Sequence, residues 1–402
     1  MANLVVGQSG GPTAVINASL VGVVREARRH RGIKGILGMR FGIEGFLEED
    51  LMDLDSLGPE TLDSLVHTPG AALGSCRLRL LDEHLPRVLD VLKRHDIRYF
   101  LYIGGDDSQS TVRRVHDYCT AQGFEVAAVG IPKTVDNDLS GTDHTPGYGS
   151  AARFVALSAM QGGILAQDMR RVDPVLVFQA VGRDAGWLAA AAALARREED
   201  DPPHLIYVPE RPLTRERLLS DAEVCFARLG YVSIVVGEGI VWSDGQAVSG
   251  TSLSDRFGNL EFGSTAGVSA ASVVKSLVCQ HLGVRGEFQV VESLQMCAAD
   301  RVSEVDRAEA IMVGEEAVRF AVSERSGVMV ALVREPGPAY RCHCVPVPLG
   351  EVGKRRLPDA FIAKDGNFVT RAFLDYCGPL VGDLPRYARL KTVSVWARDK
   401  EA

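Results

Sequence analysis

Two adjacent carboxylates follow an apolar run that has the composition of a β-strand. In RYFLYIGGDDS, Asp106 and Asp107 come after Gly104 and Gly105, and Ser108 is placed to cap a following helix. The glycines allow a ligand to approach the backbone, and Asp106 alone would serve as a hard oxygen ligand for Mg²⁺. Both aspartates could instead be ordinary helix-start residues. The presence of the second carboxylate therefore needs a separate explanation.

A second polar segment, PKTVDND at residues 132–138, combines a lysine, a threonine and two carboxylates. Phosphoryl transfer to an alcohol needs a base near the attacking hydroxyl, and cations and hydrogen-bond donors around the transferring group. Asp136 can act as the base, while Lys133 and Thr134 can hold the phosphate. The alternative is a surface turn rich in Asp and Asn.

Three further segments could bind phosphate. GQSGGP at residues 7–12 offers Gly10 and Gly11 before a helix N-terminus, although it matches neither a dinucleotide-binding nor a P-loop motif and could be only a tight turn. Arg77 in LGSCR and Arg183 in VGRDAGW supply planar guanidinium forks suited to phosphate. Either arginine could equally be an ordinary surface side chain.

The elements that must position these residues alternate between short apolar runs and helical patterns. The predicted strands are 4–6, 36–37, 99–103, 126–129, 175–178, 205–208, 234–236 and 328–333. The predicted helices are 14–30, 87–95, 108–118, 187–195, 215–228, 265–281 and 308–324. This alternation predicts an α/β fold with parallel sheets covered by helices. The polar segments follow strands, where ligands bind in such folds.

Composition limits the classes of function. The chain has 402 residues, 46% of them hydrophobic, and a net charge of −8, which argues against nonspecific binding to nucleic acid or anionic membranes. No signal peptide is visible, and the longest apolar run, 187–195, is too short to span a bilayer. We expect a soluble cytoplasmic protein whose eight cysteines are reduced. Cys342, His343 and Cys344 could bind a metal, but we favour ordinary packing in a strand.

Taken together, these motifs resemble the phosphofructokinase family, and within it the pyrophosphate-dependent bacterial branch. The resemblance covers nearly the whole chain and includes GQSGGPTAVINASL, IPKTVDNDLSGTDHTPGYGSAAR, the GR-x-x-GW segment, HLIYVPE, VGEGI and VPLGEVGKRRLP. It implies a phosphofructokinase-like fold of two interleaved Rossmann-like parallel-sheet domains with a cleft between them. We expect one unit spanning 1–402, with a donor subdomain at roughly 1–150, an acceptor subdomain at roughly 151–330 and a C-terminal extension at 331–402.

The resemblance also implies roles for individual residues. Asp136 would be the general base, supported by Asp138, with Thr134 and Arg183 at the transferring phosphoryl group. Asp106 would hold Mg²⁺. The implied donor-binding residues are Gly10, Gly11, Arg77, Gly105, Asp107 and Lys133. The implied acceptor-binding residues are Gln179, Gly182, Glu238 and Met296.

The choice of phosphoryl donor gives a role to the second carboxylate, Asp107. ATP-using members of the family have glycine at the positions of Asp107 and Lys133, which leaves room for the α-phosphate and the nucleoside. An aspartate at 107 would fill that room and repel an α-phosphate, while Lys133 would pair with the terminal phosphate of pyrophosphate. The resemblance therefore implies pyrophosphate as the phosphoryl donor.

The acceptor region departs from the family pattern. FQAVGR stands where VEVMGR is usual, so Gln179 replaces Glu, and QMCAAD places Met296 where an arginine is expected near the acceptor's 6-phosphate. Asp300 adds a negative charge in the same segment. These changes disfavour a phosphorylated acceptor, unless Arg285 or Arg301 compensates.

Three functional hypotheses follow from the resemblance. The main one is Mg²⁺-dependent, reversible transfer from pyrophosphate to fructose 6-phosphate, giving fructose 1,6-bisphosphate. The alternative is transfer to a different sugar, polyol or nucleoside that lacks the 6-phosphate. A third is a non-catalytic paralogue that binds sugar phosphates. A Rossmann dehydrogenase is disfavoured because the first glycine loop lacks the required spacing. The resemblance further implies small-molecule substrates and a homodimer or homotetramer.

Overall fold

The computed structural model describes residues 1–250 and 268–388, which form two β-sheets with helices on their faces. The strands are β1 Ala2–Gln8, β2 Ile33–Met39, β3 Leu51–Asp53, β4 Ile97–Gly104, β5 Ala127–Pro132, β6 Val175–Ala180, β7 Leu205–Tyr207, β8 Val232–Gly237, β9 Gly286–Val290, β10 Val328–Arg334 and β11 Cys342–Pro348. The helices are α1 Ile16–Ala27, α2 Gly42–Glu48, α3 Pro59–Val66, α4 Leu85–Arg94, α5 Asp106–Ala121, α6 Tyr148–Asp168, α7 Trp187–Ala191, α8 Arg215–Leu229, α9 Ala270–Leu282, α10 Leu294–Cys297, α11 Glu304–Val322 and α12 Arg371–Val381.

The larger sheet has seven strands in the order β11-β10-β5-β4-β1-β2-β3. Its interior pairs are parallel, and an antiparallel strand closes each edge. The smaller sheet has the order β7-β8-β6-β9 and is parallel throughout. The carboxyl ends of β1, β4 and β5 lead into the glycine loop and the two aspartate segments. Those of β6 and β8 lead into the segments of Arg183 and Glu238.

Both faces of each sheet are covered, which explains why the central strands are almost continuously apolar. Leu4 and Val6 pack with α1 and α11 on one face of the larger sheet, while Val5 packs with α4 and α5 on the other. In the smaller sheet, Phe178 faces α6 and α12, and Val177 faces α8 and α9.

Helix α6 follows the loop after β5 and was absent from the sequence prediction. Asp306 of α11 accepts hydrogen bonds from the backbone N–H groups of Gly147 and Ser150, so the carboxylate needed to cap α6 comes from a distant helix. Most residues of α6 are buried, so the helix is covered around much of its circumference. This burial weakens the amphipathic pattern on which sequence prediction depends.

The predicted elements are present, with boundaries shifted by a few residues. The predicted boundary at residue 330 falls inside β10, so C-terminal residues complete the larger sheet. The first residues of the helix predicted at 265–281 lie outside the described part of the chain, and α9 begins at Ala270. Among the described residues, no helix is long and apolar enough to cross a membrane.

The Cys342-His343-Cys344 segment forms the beginning of β11. Alternation along the strand turns the two cysteines toward the core, while His343 pairs with Glu335 at 3.3 Å. The three side chains therefore do not converge on one point.

Candidate active site

The first glycine loop and the LGSCR segment lie against each other. Gly10, whose φ of +75° favours glycine, donates from its backbone N–H to the carbonyl of Cys76 at 3.4 Å. The hydroxyl of Ser75 donates to the carbonyl of Gly10 at 2.6 Å. These contacts bring Arg77, which is exposed at the end of the segment, beside the loop. Their common role in donor binding stays a prediction.

Lys133 joins the second segment to the first loop. Its Nζ donates to the carbonyl oxygen of Gly11 at 2.6 Å, and its backbone N–H donates to the carbonyl of Gly104 at 3.1 Å. Burial lowers the pKa of Lys133 to about 8, although the charges of Asp136 and Asp138 oppose that change. The buried ammonium is therefore held at the point where the strand ends of β1, β4 and β5 meet.

Asp136 is a carboxylate prepared to accept a proton. Burial, followed by the charge of Asp138, raises the pKa of Asp136 to about 7, while Arg183 and Lys133 oppose the rise. Its backbone N–H donates to the hydroxyl oxygen of Thr134 at 3.1 Å, and its Oδ1 is buried with no hydrogen-bond partner in the described part of the chain. A buried, unpartnered carboxylate oxygen with a pKa near neutrality suits a general base.

Asp138 and Thr134 support this arrangement. Burial raises the pKa of Asp138, and a hydrogen bond with the Thr134 side chain opposes the increase. Because the Thr134 hydroxyl contacts both aspartates of the loop, it holds them in a fixed relation.

Asp106 is the candidate metal ligand and occupies the first position of α5. Burial, followed by the charge of Asp107, raises its pKa. Among residues 1–250 and 268–388, no three His, Cys, Asp or Glu side chains form a group that could hold a metal ion. Mg²⁺ commonly uses only one or two carboxylates and takes its other ligands from phosphate and water. The half-buried Asp106 carboxylate fits that manner of binding.

The segments that follow β6 and β8 interlock on the other side of the site. The backbone N–H of Gly182 donates to Oε1 of Glu238 at 3.2 Å. A Cβ added to Gly239 would lie only 1.6 Å from the carbonyl oxygen of Arg183, so the backbones approach too closely for any other residue. Burial raises the pKa of Glu238 to about 7, with the charge of Asp136 as a further cause. Glu238 and Asp136 are therefore electrostatically coupled across the cleft.

Gln179, predicted to bind the acceptor, is buried and has a structural contact. Its Oε1 accepts a hydrogen bond from the backbone N–H of Ala271, in the first turn of α9. A second glutamine, Gln295, contacts the segment that follows Gln179: its Oε1 accepts a hydrogen bond from the backbone N–H of Val181 at 3.1 Å. The local sequence around each glutamine did not indicate these hydrogen bonds, because each bond joins residues that are distant in sequence.

Met296 lies over the first glycine loop. A Cβ added to Gly11 would be 2.5 Å from Met296 Cε, and the Met296 carbonyl accepts a hydrogen bond from Ala14. Together with mostly apolar neighbours it lines a cleft of about 400 Å³, whose lining residues are Pro12, Phe154, Ser293, Leu294, Met296, Cys297, Ala298 and Asp300.

The two arginines considered as replacements lie in different places. Arg301 pairs with Asp300 at 3.1 Å and stacks over the ring of Phe154, so it borders the cleft. Arg285 precedes β9 at the amino end of the smaller sheet and pairs with Asp173 at 3.2 Å. Of these two arginines, Arg301 therefore lies beside the cleft, and Arg285 lies at the opposite end of the smaller sheet.

Sequence reasoning missed Arg355, which holds the loop of residues 133–147 from the C-terminal part of the chain. We call this loop the catalytic loop after the role predicted for Asp136. Its guanidinium donates to the Asn137 carbonyl, to Asn137 Oδ1, and to the carbonyls of Thr142 and Asp143, all between 2.7 and 2.9 Å. It also stacks over the Trp187 ring at 4.7 Å. Asn137 has a φ of +53° and stands between the two catalytic-loop aspartates. The basic segment GKRRLP, which contains Arg355, was visible in the sequence, but nothing in it indicated which residues Arg355 would contact.

His144 stabilises the far end of the same loop. Its Nδ1 lies 2.8 Å from Asp143 Oδ1, and its Nε2 lies 2.6 Å from Glu309 Oε2. Burial lowers the pKa of His144, but the hydrogen bonds to both carboxylates outweigh this effect and raise the pKa to about 9. The imidazole is therefore protonated at neutral pH and ties the loop to α11.

Comparisons with known proteins identify the family. Residues 3–321 match the family described as Phosphofructokinase. The chain is 37% identical to the pyrophosphate–fructose 6-phosphate 1-phosphotransferase of Xanthomonas campestris pv. campestris (strain B100), covering 98% of this chain and 97% of that protein. It is 34% identical to the sulfofructose kinase of Alkalicoccus urumqiensis, over 89% and 91% of the two chains.

A solved structure gives the same result for the fold. The pyrophosphate-dependent phosphofructokinase from Marinobacter aquaeolei superposes with a TM-score of 0.86 at 34% identity, covering 96% of this chain and 94% of that one. The predicted resemblance and fold class are confirmed. On the fold, the strand-end site and these matches, the chain belongs to the phosphofructokinase family.

Proposed function

We propose that the protein transfers a phosphoryl group from pyrophosphate to a hydroxyl of fructose 6-phosphate, giving fructose 1,6-bisphosphate and orthophosphate in a reversible reaction. The observation that carries the proposal is the donor site, where buried Lys133 is bonded to Gly11 and Asp107 stands exposed beside Asp106. The name of the Xanthomonas campestris relative supports the same donor and acceptor.

The proposed reaction needs few chemical roles from the protein. Asp136 accepts the proton from the attacking hydroxyl as its oxygen bonds to the terminal phosphorus, and the bridging P–O bond breaks to release orthophosphate. Lys133 and Arg183 provide positive charge around the transferring group, while Gly10 and Gly11 allow the donor to approach the backbone. Glu238 accepts hydrogen bonds from the acceptor's hydroxyls. Mg²⁺ held by Asp106 would neutralise negative charge on the donor phosphates.

The reverse reaction offers a test that needs no assumption about direction. Purified protein with Mg²⁺, fructose 1,6-bisphosphate and orthophosphate is followed by phosphorus NMR. We expect resonances of fructose 6-phosphate and pyrophosphate to grow together at equal rates. A rise in orthophosphate with no pyrophosphate formed would contradict the proposal, since it would indicate simple hydrolysis of fructose 1,6-bisphosphate.

A second acceptor is favoured by the cleft beside Met296. An apolar side chain occupies the place of an expected phosphate-binding cation, and Arg301 is already paired with Asp300. An acceptor without a dianionic 6-phosphate would need fewer cations there. The Alkalicoccus urumqiensis relative is named for sulfofructose, which carries one negative charge in place of a phosphate's nearly two.

An acceptor panel distinguishes these two functions. Pyrophosphate is supplied with fructose 6-phosphate, sulfofructose, and unphosphorylated sugars, polyols and nucleosides, and products are identified by mass. Met296→Arg is compared with wild type. If fructose 6-phosphate is the natural acceptor, it has the highest kcat/KM in the panel. If the second hypothesis holds, another acceptor exceeds it and Met296→Arg raises the turnover of fructose 6-phosphate.

We also propose that the protein acts as a homodimer or homotetramer. Exposed apolar side chains on the smaller sheet and at the cleft, Phe288 and Leu294, would gain from burial against a second copy. Light scattering at micromolar concentration tests this, with a monomer mass as the contrary result.

A further inference from the structure

Lys354 belongs to a C-terminal segment that pairs with the catalytic loop. It lies opposite Leu139 in an antiparallel bridge. The bridge is closed by two backbone hydrogen bonds of 2.7 Å, from Ser140 N–H to the Gly353 carbonyl and from Arg355 N–H to the Asp138 carbonyl. The backbone of Lys354 is therefore fixed beside the residue that follows Asp138.

The Lys354 side chain is exposed and belongs to a residue held next to Asp138. The bridge and its two hydrogen bonds, which do not depend on any titration, place the backbone of Lys354 beside the loop that carries Asp136 and Asp138. In agreement with this placement, burial raises the pKa of Asp138 and the positive charge of Lys354 opposes the rise.

The ammonium of Lys354 remains available to a ligand. Across residues 1–250 and 268–388, no carboxylate lies within 4 Å of it. Lys133, in contrast, already donates to the Gly11 carbonyl. Lys354 can therefore reach an anion at the site without first breaking an ion pair in this part of the chain.

The charges of the site explain why such a cation is needed. Four carboxylates, Asp106, Asp107, Asp136 and Asp138, line the strand ends. Pyrophosphate brings several further negative charges, and repulsion between like charges opposes its binding. An additional ammonium beside Asp138 would offset part of this repulsion.

We propose that Lys354 is a further donor-binding residue, whose ammonium contacts a phosphate group of pyrophosphate. The inference rests on the proposed function, because it requires pyrophosphate as the donor. It makes the C-terminal segment a part of the donor site, in addition to the three loops at the ends of β1, β4 and β5.

The test measures binding of pyrophosphate by titration calorimetry, with Mg²⁺ in all solutions and no acceptor present. Wild type is compared with Lys354→Met, Lys354→Gln and Lys354→Arg. Lys364→Met is the matched control, because Lys364 is exposed in the same C-terminal part of the chain. A charged hydrogen bond at a site open to solvent is worth about a tenfold change in affinity.

We expect both neutral variants to bind pyrophosphate about tenfold more weakly, with Lys354→Arg and Lys364→Met close to wild type. The KM for pyrophosphate should rise by the same factor while the KM for the acceptor stays unchanged. Thermal unfolding midpoints equal to wild type ensure that the effect is local. If wild type binds pyrophosphate and the neutral variants bind it equally well, the role of Lys354 is refuted and the proposed function stands. If wild type itself does not bind pyrophosphate, both are refuted.

Discussion

The ammonium of Lys133 lies 2.6 Å from the carbonyl oxygen of Gly11, so the loops after β5 and β1 are joined at the centre of the site. A Cβ added to Gly10 would lie 3.2 Å from the same ammonium, which shows how closely the lysine fills the space above the glycine loop. In the proposed donor site, this charged side chain would take up space that a nucleotide's α-phosphate needs.

The choice of donor should change when this side chain and Asp107 are removed. Lys133→Gly alone should weaken pyrophosphate use, because it deletes a cation. Lys133→Gly with Asp107→Gly should raise the ratio of kcat/KM for ATP to that for pyrophosphate by roughly 10- to 100-fold, since both the bulk and the negative charge are lost. Initial rates with each donor at a fixed acceptor concentration measure the ratio. Asp107→Asn, which keeps the volume, is the control for charge. A ratio unchanged in the double variant would contradict this account of donor choice.

Replacing Asp136 should abolish most of the chemical step. Asp136→Asn preserves shape but cannot accept the proton, so kcat should fall by about 10²- to 10⁴-fold, with both KM values little changed. Asp168→Asn, at an exposed position at the end of α6, is the control. Steady-state kinetics with pure variants decide the matter. A kcat of the Asp136→Asn variant within about threefold of wild type would show that Asp136 is not the general base.

The rate should fall in mild acid. Because burial and Asp138 raise the pKa of Asp136 to about 7, the base is protonated below that pH in the free enzyme and cannot accept a proton. The kcat/KM for the acceptor should therefore decrease as pH falls through about 7. Glu238→Gln should keep this decrease, which separates Asp136 from the other carboxyl that titrates near 7. A flat profile from roughly pH 5.5 to 8.5 would speak against a base of this pKa.

Arg355 should act through the position of the catalytic loop. Arg355→Lys keeps the charge but loses the fork that holds both oxygens of Asn137, so kcat should fall by about 10- to 100-fold while both KM values change little. Arg341→Lys, at an exposed site nearby in sequence, is the control. A purely structural role would lower the thermal midpoint without this separation of kcat from KM. That outcome would refute the positioning role.

His144 should make folding stability depend on pH. Its folded pKa of about 9 lies above the ordinary value of 6.5. The stabilisation is therefore fully present below pH 6.5 and is lost as pH rises through about 9. His144→Gln should reduce the free energy of unfolding by roughly 1–3 kcal/mol near pH 6. The difference from wild type should shrink at high pH. Denaturant unfolding at several pH values measures it, and a difference that grows with pH would contradict the protonated state.

The sequence predicted much of the fold because strands with two buried faces give short apolar runs. It also predicted where the polar loops meet, since β1, β4 and β5 end at one edge of a parallel sheet. The fold class and the family were confirmed by the comparisons. Helix α6 was missed because burial around much of its circumference weakens the periodic signal.

Contacts between distant parts of the chain were beyond sequence reasoning. Arg355 and Asn137 are 218 residues apart, and nothing in either local pattern indicates the pair. The same limitation applies to Gln179: its place in FQAVGR implied a contact with the acceptor, and no local pattern indicated that its oxygen bonds to the first turn of α9. Side-chain direction at a strand end depends on which helix packs there, and that is a property of the whole fold.

The most direct test of the central claim is a donor comparison with the wild-type protein. Fructose 6-phosphate and Mg²⁺ are held constant, pyrophosphate or ATP is supplied, and the product is identified by mass. We predict formation of fructose 1,6-bisphosphate with pyrophosphate and a kcat/KM for ATP at least about 100-fold lower, as expected from the charge and bulk of Lys133 and Asp107. Efficient transfer from ATP, or no transfer from pyrophosphate to fructose 6-phosphate, would contradict the account.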